Sequence, residues 1–269
     1  MGTSALASAF VLLSHERSGS HFVGEFIGHL TGFRMYDEVC NPDAVKPTKA
    51  SESFHRFRYD AGVRDPALVL EPSFKKHREF VISYFDHLLS LRAPQNIAVD
   101  IKYGHVQNFE WCWWPFLERP ALLNICESIG IGIIHLFREN VVEATVSAMV
   151  AEKRKVWHSW QADAPDTKPH RLPVKEVVRK SKLLERQIAL FRHWTNKNTR
   201  LEITYENVAD DLGKGGTSED AITKFLHTTL RTPFSPRVQK LTPPLHEIVE
   251  NYDALRAACV EADLGHFVS

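Results

Sequence analysis

The chain has 269 residues, enough for a sizeable core and near the upper end for one domain. Its 43% hydrophobic and 25% charged content is ordinary for a soluble globular protein, and no apolar run approaches a membrane span. Lys plus Arg and Asp plus Glu both number 33, so bulk charge argues against nucleic acid or an anionic membrane, and positive charge must act at particular places.

The first nine residues lack a basic segment, so no signal peptide is expected. The apolar run 9–13 predicts a buried strand. Arg17-Ser18-Gly19-Ser20 then turns the chain, and Phe22, Phe26 and Leu30, four apart, predict a helix face. Strand, small-residue turn and helix together aim free N–H groups and the helix dipole at an anion. Gly19 admits close approach, Ser18 and Ser20 add hydroxyls, and Arg17 adds a fixed charge. The pattern predicts a phosphate or sulfate cradle. It is neither Gly-x4-Gly-Lys-Ser/Thr nor Gly-x-Gly-x-x-Gly.

Thr31-Gly32-Phe33 reads as a stop, and Asp37-Glu38 follows in a loop near where a ligand on the cradle would lie. Residues 42–72 read as loops and short helices, a lid-like insertion. Residues 75–91 predict an amphipathic helix and 97–101 a second strand, ending in Lys102 at the ligand edge, with His105 three residues on. Residues 109–116 hold three of the six Trp residues, read as core ahead of an acceptor platform or dimer contact.

Residues 132–137 predict a third strand, followed by Arg138 and a helix carrying Ser147. Nine helical residues would span roughly 13 Å, and a looped start shortens that, so both side chains can touch one phosphate. A long helix over 173–194, a strand at 201–205, a helix at 218–230, a Pro-rich basic stretch from 231 to 244 and a last helix at 246–262 complete the chain. Cys40, Cys112, Cys126 and Cys259 form no C-x-x-C, which suits a reducing cytoplasm, and the 14 histidines show no metal-ligand spacing. The alternation predicts one α/β domain over 1–269 with a central parallel sheet, 42–72 an insertion and 231–269 a basic loop and helix.

With Arg17-Ser-Gly-Ser20 after the first strand and Arg138-x8-Ser147 after the third, the chain resembles the sulfotransferases that use 3′-phosphoadenosine-5′-phosphosulfate (PAPS). It is most similar to bacterial carbohydrate-type, trehalose sulfotransferase-like members. Ile134-His-Leu-Phe-Arg138, Val141-Val142, Val146-Ser147, Lys155-Val-Trp157 and the segment Leu201 to Val208 carry that likeness. Departures are His21 in place of the usual Thr, and Arg17 where cytosolic members have Lys.

The resemblance implies a P-loop-like three-layer fold and a metal-free sulfonyl transfer from PAPS to a hydroxyl or amine of a small-molecule or carbohydrate acceptor, giving 3′-phosphoadenosine-5′-phosphate (PAP). It implies that Arg17, Ser18, Gly19, Ser20, His21 and Phe22 hold the 5′ end and Arg138 and Ser147 the 3′-phosphate. For the leaving oxygen it offers Arg17 or Lys102, and for the base Glu38, then His105, then Asp37. It allows a homodimer, which is common in this branch. The alternatives are a P-loop-type kinase, disfavoured by the missing Gly-Lys-Ser/Thr end, and a non-catalytic 3′-phosphonucleotide-binding module.

Overall fold

Six consecutive buried residues form strand β1, Ala9–Ser14, and the sheet grows outward from it on both sides. The computed structural model describes residues 8–41, 50–70, 73–91, 96–110, 118–155, 168–236 and 243–268. β2 (Phe33–Tyr36), β3 (Asn96–Lys102), β4 (Gly132–Phe137) and β5 (Arg200–Thr204) complete a five-stranded sheet ordered β2-β3-β1-β4-β5. Every pairing is parallel. The expected α/β, P-loop-like architecture, a parallel sheet between helical layers, is the one observed.

Burial on both faces explains why β1 reads as a continuous apolar run. Its side chains alternate. Phe10 and Leu12 join Val23, Phe26 and Ile27 of α1 (Ser20–Gly28) in one core. Val11 and Leu13 join the opposite core. That core takes in Phe54 of α2 (Phe54–Arg64), which precedes the short α3 (Ala67–Leu70). It also draws on α4 (Phe74–Ser90), α5 (Ala121–Ile129), α6 (Val141–Arg154) and α7 (Val174–Trp194). α8 (Tyr205–Asp211) and α9 (Thr217–Phe225) lie with α1, and α10 (Leu245–Ile248) and α11 (Tyr252–Glu261) close the opposite side. Among the described residues no helix is long and apolar enough to cross a membrane.

Several expectations need correction. The stop at 31–33 leads into β2, a four-residue edge strand too short to show an alternation. α5 and α8 lie in stretches read without helices. The helix expected to Leu230 stops at Phe225, because His227 turns left-handed (φ 51°) and Leu230 pairs with Leu30. The helix expected over 246–262 is broken at Val249, which adopts an extended conformation and bridges His170. Residues 1–7, 42–49, 71–72, 92–95, 111–117, 156–167, 237–242 and 269 fall outside the described residues. With them go parts of the insertion, the Trp-rich cluster, Val156-Trp157, Arg237 and Lys240. The described part of the insertion, 50–70, holds α2 and α3.

β2 matters because its last residue, Tyr36, leads directly into Asp37 and Glu38. Tyr36 is fully buried and its hydroxyl donates 2.7 Å to the carbonyl of Leu88 in α4. We expect Tyr36→Phe to cost about 1 kcal/mol and lower the melting temperature by about 2–3 °C. A calorimetric scan checks this, and no shift would mean that the bond does not tie β2 to α4.

Candidate functional site

Parallel strands end on one edge of the sheet, and each of the five strands delivers chemistry there. β2 leads into Asp37 and Glu38, β1 into the Arg17 turn, β3 into Lys102 and His105, β4 into Arg138 and β5 into Tyr205. The pairing of Ser14 with Lys102 on one side and Leu136 on the other fixes the neighbours at the centre.

The turn after β1 is tight, because Arg17 (φ 62°) and Gly19 (φ 84°) are both left-handed. Gly19 is the N-cap residue of α1, no side chain caps that helix, and its first turn holds no acidic residue. Its leading N–H groups therefore lack intrahelical acceptors and face the edge. Ser18 is fully buried, and its hydroxyl oxygen has no hydrogen-bond partner among the described residues. A Cβ on Gly19 would lie 2.4 Å from Cδ2 of Tyr205, so this ring excludes any side chain there.

Arg17 and Ser147 meet: Arg17 Nε donates to Ser147 Oγ at 3.0 Å across 130 positions of sequence. Burial, and then the charge of Arg138, lower the Arg17 pKa. Arg138 is 5% exposed and stacks its guanidinium 4.8 Å from the centre of the Tyr205 ring. It forms an ion pair with Glu143 and stands 3.8 Å from Glu206. Arg138 and Ser147 thus lie at one edge, but each has a partner of its own. His15 links the two halves. Its Nδ1 donates to the Glu16 carbonyl at 2.7 Å, while Nε2 accepts the Arg138 N–H at 3.0 Å. Acceptance at Nε2 requires the neutral ring, and burial pushes its pKa down to about 3.

On the other side of β1, Lys102 donates to both oxygens of Asp100, at 2.7 and 3.0 Å, to Ser14 Oγ at 3.2 Å and to Ser20 Oγ. Burial pushes the Asp100 carboxyl above the usual carboxylate range, and the Lys102 ammonium opposes that. Lys102 stands 3.8 Å from Glu38, Glu38 3.6 Å from His21, and His21 3.3 Å from Asp37. The charges alternate along this row. Glu38 also accepts from Asn41 at 2.8 Å, and its backbone is left-handed (φ 43°). The His21 imidazolium, with Lys102 and Asn41, holds the Glu38 carboxyl well below its usual range against burial. Burial works against the charged His21, but the neighbouring Asp37 and Glu38 carboxylates raise its pKa to about 9. Asp37 is lowered in turn, burial opposing and His21 prevailing.

His105 is half-buried, burial lowers its pKa, and its Nδ1 has no hydrogen-bond partner among the described residues. Phe22 packs 5.9 Å from Phe234. Among the described residues no group of three or more His, Cys, Asp or Glu could hold a metal. Sequence reasoning missed His15, Asp100 and Tyr205 as site residues. Asp100 is the only charge within the 97–101 strand run, and Tyr205, read as the end of a strand, is the first residue of α8.

No protein-family model matches the chain, and no curated protein matches it. Among solved structures, it is similar to the crystal structure of a sulfotransferase from Alicyclobacillus acidocaldarius, at 13% identity and a TM-score of 0.46, over 96% of this chain and 95% of that one. So low an identity and TM-score bear no functional conclusion.

The His21 pairs make stability pH-dependent. The folded-state value of about 9 lies above the ordinary 6.5, so the pairs stabilise fully below about 6.5 and that contribution is lost as pH rises through about 9. The melting temperature of wild type should exceed that of His21→Gln most at pH 6, with the gap closing by pH 10. A gap independent of pH would contradict the assignment.

Proposed function

We propose that this chain is a sulfotransferase, moving a sulfonyl group from PAPS to a hydroxyl or amine of a small-molecule acceptor and releasing PAP. The observation that carries the reading is the Arg17–Ser147 hydrogen bond of 3.0 Å, which brings two distant motifs to one sheet edge beside an uncapped helix N-terminus. The residues suit a phosphosulfate: a buried Ser18 hydroxyl without a partner among the described residues, an uncapped helix N-terminus, and basic side chains on either side.

When bound, PAPS supplies an activated sulfonyl group on a phosphate leaving group. In this reading Arg17 donates to the charge that develops on the leaving oxygen, which favours the transition state over the ground state. Lys102 and Ser20 supply a second donor route. Arg138 and Ser147 take the 3′-phosphate, and Arg138 then exchanges part of its pairing with Glu143 for the phosphate. Glu38 stays a carboxylate and accepts the acceptor's proton in this reading. His105, a neutral imidazole with a bare Nδ1, is the second candidate, and Asp37, held by His21, the third.

Calorimetric titration tests the donor. PAP should bind, and Arg138→Ala should raise its dissociation constant by about tenfold or more, from loss of a charge-assisted bond of about 1.5–3 kcal/mol. Adenosine 5′-phosphosulfate, which lacks the 3′-phosphate, should barely respond. Equal losses for both, or tight binding of ATP with none of PAP, would sink the reading in favour of a kinase.

The base is tested by turnover. Glu38→Gln should keep PAP affinity while lowering transfer on the order of 100-fold or more. An unchanged rate with His105→Ala inactive would hand the role to His105.

A further inference from the structure

Lys102 has three ammonium protons, and Asp100, Ser14 and Ser20 supply acceptors for all of them. None is left to point into the cradle. The Ser20 hydroxyl, in contrast, accepts from Lys102 at the first residue of α1, so its own proton is free for an anion at that helix end. A hydroxyl that accepts from an ammonium is a stronger donor in turn.

What sets this arrangement is Asp100. It lies two residues before Lys102 on β3, and strand alternation puts both side chains on one face. It is fully buried, and its two oxygens hold the ammonium at 2.7 and 3.0 Å. The other charged groups that bear on Asp100 are Asp37 and Glu38, both anionic, so Lys102 is the cation that keeps it.

We propose that Asp100 is a positioning residue that draws Lys102 back against β1, so that Lys102 acts on the bound anion through the Ser20 hydroxyl and not by direct contact. This rests on the sulfotransferase reading for the reaction concerned, but its electrostatic core concerns any anion in the cradle. Removing the Asp100 charge frees the ammonium and subtracts a buried negative charge beside the anion site. Anion affinity then rises while turnover falls, because the donor at Ser20 loses its geometry. A residue that only supports the fold would weaken both together.

The test uses the full chain as wild type, Asp100→Asn and Asp100→Asn/Lys102→Met. Titration calorimetry measures binding of inorganic pyrophosphate and of PAP, and hydrolysis of PAPS to PAP and sulfate, with water taking the sulfonyl group, measures turnover. Asp100→Asn should bind pyrophosphate about threefold or more tighter and turn over about tenfold or more slowly, and the double variant should lose the gain in binding. Unchanged values, or affinity and turnover falling in step, overturn the proposal. If wild type neither binds PAP nor releases it from PAPS, the functional reading fails, and the pyrophosphate arm alone then decides the role of Asp100. Should Asp100→Asn not fold, pyrophosphate binding by Ser20→Ala, Lys102→Met and their double variant decides. A relay through Ser20 requires that the double variant lose no more than the worse single one, and additive losses refute it.

Discussion

Parallel pairing forces all five strands to present their carboxyl ends along one line, and the polar chemistry of this chain is concentrated there. β1 lies at the middle, and its Ser14 lies beside Lys102 on one flank and Leu136 on the other. Everything else follows from that register. The turn after β1 can touch Lys102 on one side and Arg138 on the other because hydrogen-bonded strands lie only about 5 Å apart.

A chain with equal numbers of cationic and anionic residues cannot draw an anion by its overall field. It concentrates charge locally, and the cations at the site are kept in place by carboxylates: Lys102 by Asp100, Arg138 by Glu143, His21 by Asp37 and Glu38. Burying these cations alone would be costly, and each carboxylate offsets part of that cost. In the proposed reading a phosphate or sulfate would meet groups already oriented, and at Arg138 it would compete with Glu143.

The strands and the long helices were legible because burial on both faces and 3.6-residue periodicity leave strong marks. The turn between β1 and α1 was legible because Arg17-Ser-Gly-Ser20 needs no distant partner to be recognised. What escaped depends on tertiary contacts. β2 is recognised as a strand only beside β3. The helix after Thr217 ends early because Leu30 draws Leu230 into a bridge. Asp100 reads as a lone acid in an apolar run until Lys102 is seen folded over it. His15 reads as a loop histidine until the Arg138 backbone is brought 3.0 Å from it.

His15 also acts as a tie. Bonded to the Glu16 carbonyl at one nitrogen and to the Arg138 backbone at the other, it joins the turn after β1 to the end of β4. Under the proposed reading Arg17 and Arg138 would hold opposite ends of one donor, so a change that loosened this tie would disturb both contacts together.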